Sequence, residues 1–135
     1  MIRSRDKGAA AEREAAEFLT GLFKLPVNRT AQYCGAAGHA DLEGLHGLHV
    51  EVKRRQRLHM ESALQQAVRD ASPVAVPLVM HRADREQWKF TFFAADLLRF
   101  LDATNALIEE GHRRALSAPS QTTITYQPST ESENT

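Results

Sequence analysis

The sequence predicts a small α/β domain with a mixed sheet. Two observations predict it. The periodicities run in the order helix, three or four short strands around a second helix, then a terminal helix. The chain has 135 residues and 42% hydrophobic content, enough for one domain with a buried core.

Each element has its own signal. From Asp6 to Lys24, apolar residues at Ala11, Ala15, Ala16, Phe18, Leu19, Leu22 and Phe23 mark an amphipathic helix that stops before Pro26. Residues 27 to 39 hold two glycines and no period, so they read as a loop, with room for a short strand at its start. Ala40 to Gly44 and Leu48 to Lys53 read as strands joined by a tight turn over Leu45 to Gly47. Glu61 to Ala71 reads as a helix, with Pro73 starting the exit from it. Leu78 to His81 and Trp88 to Phe93 read as two further strands, linked through the polar stretch Ala83 to Glu86. Trp88, Phe90 and Phe92 alternate onto one face, a pattern that suits core packing better than a base-stacking platform. Asp96 is placed as the N-cap of a final helix, Leu97 to Leu116, with a break near Asn105. The domain therefore spans 1–116. The polar, Ser- and Thr-rich segment 117–135 reads as a flexible tail in which Thr123 to Tyr126 could add a short edge strand.

Net charge is zero, from 17 basic and 17 acidic residues, but the charges are unevenly placed. The segment from Ala115 onward has no Lys or Arg and carries Glu131 and Glu133, while Lys53, Arg54, Arg55 and Arg57 lie almost together. The single cysteine, Cys34, excludes an internal disulfide and any multi-cysteine zinc site, and fits a reducing compartment. No apolar run approaches the ~20 residues of a membrane span, and the N-terminus has no apolar core of a signal peptide. These features predict a cytoplasmic protein.

The chemistry concentrates in Asp41, Glu51 and Lys53, which form the pattern D-x9-E-V-K. Side chains alternate across a strand, so Glu51 and Lys53 should emerge on one face about 7 Å apart, with Leu48, Val50 and Val52 on the other. A carboxylate able to hold Mg²⁺ would then stand beside an ammonium able to orient or deprotonate a water. Exposed strand faces carry the same pair in solvent, and the triplet alone does not separate the two readings. Glu12 adds context, because at ~100° per residue it falls on the core side of the first helix, whereas Glu17 points away. A carboxylate there costs several kcal/mol to desolvate unless something compensates it. The compensation is either a divalent cation shared with Asp41 and Glu51, or an ion pair with Arg13 or another base. His46, His49 and Asp41 could be imagined as zinc ligands, but no His pair has helical or finger spacing. Turn or surface positions are expected for the histidines.

Three separated motifs, Lys7-Gly8-Ala9-Ala10-Ala11-Glu12-Arg13-Glu14, then Ala40-Asp41-Leu42-Glu43-Gly44, then His49-Val50-Glu51-Val52-Lys53-Arg54-Arg55, resemble the PD-(D/E)XK nucleases. Within them the match is to the archaeal-type Holliday junction resolvases and their phage-encoded relatives. The resemblance covers about residues 7 to 93. It implies a restriction-endonuclease-like core, with a central mixed sheet flanked by helices. It also implies a homodimer whose two sites cut opposed strands of branched duplex DNA at a four-way junction, in the cytoplasm of the host cell if the protein is phage-encoded.

Carried over by motif position, the resemblance makes Glu12, Asp41 and Glu51 metal ligands, with the Val52 carbonyl as a backbone ligand, and sets Lys53 against the attacking water. The implied cofactor is Mg²⁺, with Mn²⁺ able to substitute, and no small-molecule cofactor. Lys53 can act as a cation that stabilises developing charge or as a neutral base. Gln66 resembles the glutamine or lysine found on the helix after E-x-K in this superfamily. Arg29, Gln32, Arg54, Arg55 and Arg57 stand where phosphates would lie, or are ordinary surface residues. Arg82 ends a strand near the same place. Two departures stand out: Ala40 replaces the name-giving proline, and the loop before it lacks the serine of many such resolvases, with Thr30 and Tyr33 the nearest hydroxyls. The alternatives are another nuclease of the superfamily, nicking or restriction-type, and a non-catalytic DNA-binding module on the same fold.

Overall fold

The computed structural model describes residues 4–31 and 39–118. The first helix, α1, spans Ser4–Phe23 and buries Ala11, Ala15, Ala16, Leu19 and Phe23 along one stripe. It ends where Lys24 takes a left-handed φ of 59°, its N–H still bonded to the Thr20 carbonyl. The Thr20 hydroxyl then accepts from the Val27 N–H at 3.1 Å, folding the chain back along the helix.

Two short strands follow, β1 (Asn28–Arg29) and β2 (Leu42–Glu43), paired antiparallel with Arg29 opposite Leu42. The expected hairpin between Ala40–Gly44 and Leu48–Lys53 is therefore not the pairing found. Gly44 and Gly47 both have positive φ, and a Cβ on Gly44 would collide with the Pro26 carbonyl. Between them the chain turns sharply enough to bury Leu42 and Leu45 in the core, which leaves β2 only two residues to pair.

The principal sheet has three strands in the order β3 (Leu48–Arg54), β4 (Val76–Arg82), β5 (Lys89–Thr91), parallel between β3 and β4 and antiparallel between β4 and β5. The molecule is thus mixed α/β, as the periodicities predict. Strand β4 begins before the expected Leu78 and contains Pro77. Val76 donates to the Gly47 carbonyl on the β3 side, so the alternating ladder turns the Pro77 nitrogen to the other edge. There β5 pairs only Val79 to His81, and the missing N–H costs no bond. Strand β5 is shorter than the expected Trp88 to Phe93. Beyond it Phe92 stacks on Phe100, ring centroids 4.3 Å apart, and Phe93 packs on the opposite side of the sheet.

Helices cover both faces of this sheet. Val50, Val52, Leu78 and Met80 meet α1 and the last helix in the main core, and Val79 meets Ala63 and Leu64 of α2 (Met60–Asp70) on the other side. His59 caps α2, its imidazole accepting from the Ser62 N–H. Helix α3 (Leu97–Ser117) runs through Asn105 without the expected break, with Asn105 on its solvent-exposed side, where a polar residue costs a helix little. Asp96 precedes it without a side-chain cap and instead pairs with Arg99 at 3.0 Å. The tail strand expected at Thr123 to Tyr126 lies outside the described residues. Among the described residues, no helix is long and apolar enough to cross a membrane.

Gly111 is the tightest joint of α3, for a Cβ there would collide with the Phe23 carbonyl at the end of α1. Gly111→Ala should lower stability by about 1–3 kcal/mol, as overpacking does, read as a lower urea midpoint. Helix propensity alone would raise it by about 1 kcal/mol, so an unchanged or raised midpoint would show that the two helices do not meet here.

Candidate active site

The site is built on the edge of β3 that faces away from β4. Because Gly47 and Arg55 bond towards β4, the alternating residues Val50 and Val52 point their N–H and C=O groups away from it. Asp41 occupies that edge. Its backbone N–H donates to the Val50 carbonyl at 3.1 Å, and its carboxylate Oδ2 accepts from the Val52 N–H at 2.8 Å. One aspartate thus satisfies the edge groups that a neighbouring strand would otherwise take. The Val52 carbonyl leaves the same edge.

Glu51 projects from the opposite face of β3 to Val50 and Val52 and is 2% exposed. Alternation places Lys53 with it, as expected, and Lys53 Nζ donates to Gln66 Oε1 of α2 at 3.2 Å. Glu12 reaches the same place from α1. All four lie along one cleft of about 640 Å³, whose wall also includes Val52, Arg54, Arg55 and Gln66. Lys7, Gly8, Ala11, Gln56 and Asp84 complete the lining; nothing in the local pattern of the sequence gives the last two a part.

Electrostatics mark the centre of the cleft. Burial is the largest cause that raises the Asp41 carboxyl, with the negative charge of Glu51 next and that of Glu12 adding, and these push it up to about 7 against the opposing Val52 N–H bond. Hydrogen bonding to the Glu51 side chain adds a smaller upward push. Acidic oxygens forced this close suit a hard divalent cation, and a donor set of carboxylates and one carbonyl suits Mg²⁺ better than zinc. Among the described residues, no group of three or more His, Cys, Asp or Glu side chains is already arranged to hold a metal ion. Glu12 Oε2 instead accepts from Arg29 Nε at 2.5 Å. Of the two compensations open to Glu12 in the sequence, the structure shows the pair with a base, here Arg29 and not Arg13, while Glu12 also lines the cleft.

The arginines divide accordingly. Arg29 is held by Glu12. Arg54 donates to Glu14 Oε2 at 2.7 Å, and Arg82 donates to Glu14 Oε1 at 2.6 Å while lying over the Trp88 ring, 5.2 Å from its centroid. Glu14 therefore ties α1 to β3 and β4, and two arginines beside the cleft are engaged in that tie. Arg55 is exposed on the cleft wall, and Arg57 is exposed beyond it. Gln32 lies outside the described residues.

One histidine contradicts the expectation of turn and surface positions. His46 and His39 are exposed, but His49 is 5% exposed and its Nε2 stands 2.9 Å from Glu51 Oε1. The signal was the spacing itself, because residues two apart on a strand share a face.

Compared with known proteins, the chain matches no family model, no curated protein and no solved structure.

Proposed function

We propose that this protein is a Mg²⁺-dependent, structure-specific DNA endonuclease that resolves four-way junctions by paired nicks. The observation that carries the proposal is the convergence of Glu12, Asp41, Glu51 and Lys53 on one cleft, where burial and the nearby Glu51 raise the Asp41 carboxyl. In this reading the sheet with helices on both faces is the central part of a restriction-endonuclease-like core. The choice of branched DNA rests on the resemblance of the Lys7 to Glu14 opening to the junction resolvases.

Asp41, Glu51 and the Val52 carbonyl would hold the cation, with Glu12 on the facing wall. Bound Mg²⁺ supplies Lewis acidity and neutralises charge on the phosphodiester. Asp41 is fixed by the Val52 N–H, so its second oxygen is presented in a constant direction. Gln66 holds the Lys53 amine near the carboxylates. From there Lys53 orients the attacking water, and it either stabilises charge building on the phosphate or takes the proton. Lys7, Arg55 and Arg57 supply charge for phosphates flanking the cut, and contacts of this kind set register without reading sequence. Leu97, Leu98, Leu101 and Ile108 are exposed on α3, an apolar face through which two copies would bring two cutting sites together.

Labelled four-way junction, linear duplex and single strand, each incubated with Mg²⁺ or EDTA, test this directly. Symmetric paired nicks on the junction, dependent on Mg²⁺, are expected. Equal cutting of linear duplex would replace resolution with a nicking or restriction-type activity, and binding without cutting would leave a DNA-binding module.

A further inference from the structure

We propose that His49 is a positioning residue that fixes the Glu51 carboxylate for cation binding. The proposal rests on the reading of Asp41 and Glu51 as cation ligands. His49 and Glu51 are two residues apart on β3 and share its α2-covered face, and they are the two buried polar side chains of the described core, at 5% and 2% exposure. An imidazole so enclosed loses its water and needs a partner to offset that loss. The partner is Glu51 Oε1, 2.9 Å from Nε2.

Towards a carboxylate, Nε2 can only donate, which the neutral tautomer does as well as the cation. The bond takes one carboxylate oxygen, Oε1, and leaves the other uncommitted to His49. Without it, Glu51 can rotate about its last torsion, a broad and weakly restricted one. Nothing else about the position demands histidine. Leu48, Val50 and Val52 beside it are apolar, and an apolar residue would suit a strand covered on both faces. Hydrogen bonds of this kind to metal ligands set ligand orientation, and losing one costs about tenfold to a hundredfold in metal affinity.

The experiment measures Mn²⁺ affinity of the full chain without DNA, by electron paramagnetic resonance, in wild type, His49→Phe, His49→Gln and Asp41→Asn. His49→Phe keeps a ring and removes the donor, and is expected to weaken Mn²⁺ binding about tenfold to a hundredfold. His49→Gln restores an N–H donor and should recover most of that loss, while Asp41→Asn should bind far more weakly than either. If His49→Phe does not fold by circular dichroism, His49→Val, suited to a buried strand, takes its place. Wild-type affinity in the donor-less variant, with binding lost in Asp41→Asn, would overturn the role of His49 and leave the carboxylate site standing. A loss that Gln does not recover at all would also overturn it, since the missing N–H donor would then not be the cause. No Mn²⁺ binding by wild type would overturn the carboxylate site and this proposal together.

Discussion

Asp41→Asn and Glu51→Gln should each lower the rate of junction cleavage by about a thousandfold or more, while junction binding stays near wild type. The size follows from what the substitutions remove. Each replaces a carboxylate by an amide of the same shape, so packing is kept. At Asp41 the amide oxygen can still accept from the Val52 N–H that now reaches Oδ2 at 2.8 Å. What is lost is negative charge at a point where charge must be balanced as a phosphodiester reacts, and single preorganised groups at such points are worth about a hundredfold to a thousandfold. Losing a cation as well makes the effect larger. Binding should survive because the exposed bases, Lys7, Arg55 and Arg57, are untouched. Single-turnover cleavage measures the first quantity and gel shift in Ca²⁺ the second. Cleavage retained by both variants would remove Asp41 and Glu51 from the chemistry.

The same aspartate should make the fold less stable as pH rises. An unfolded Asp41 releases its proton near its ordinary pKa of 3.8, whereas the folded carboxyl holds it up to about 7, chiefly because it is buried and next because Glu51 is close. Between those values the folded state binds more protons, so stability falls with increasing pH. Below the lower value both states are protonated and the contribution vanishes. Above the upper one the penalty is complete, at about 2–4 kcal/mol. Asp41→Asn carries no such penalty. In urea unfolding without divalent cations it should be more stable than wild type by that amount at pH 8, and the two should converge near pH 4. Mg²⁺ should narrow the gap at pH 8, because a ligand of the folded state stabilises it by mass action. A variant less stable than wild type at pH 8, or a gap independent of pH, would contradict the account of the carboxyl pair.

Much of this site is legible in the sequence because it is built on the one strand with a clear period. Alternation in β3 sets Glu51 and Lys53 together, and the 100° helical angle brings Glu12 to the cleft side of α1. What escapes local pattern is what depends on distant partners. Arg54 looks like a free cation in Lys53-Arg54-Arg55, yet it is held by Glu14, forty positions earlier. Arg29 likewise meets Glu12 across the α1–β1 turn. Strands of two residues have no period, so the β1–β2 pairing cannot be read, and Pro77 conceals the start of β4 because its tolerance depends on how far β5 extends. His49 lies between these cases. Its spacing from Glu51 is in the sequence, but its burial depends on α2 packing over that face of β3.

Glu12, Asp41, Glu51 and Lys53 are proposed to form one cation-dependent cutting centre. It is tested most directly by the rate of cleavage of a labelled four-way junction as free Mg²⁺ is raised from an EDTA-buffered zero to saturation. The account predicts no cutting without the cation and a saturable rise with it, with nicks paired across the branch point. Cutting that persists in EDTA, or none at any concentration of Mg²⁺ or Mn²⁺, would contradict it.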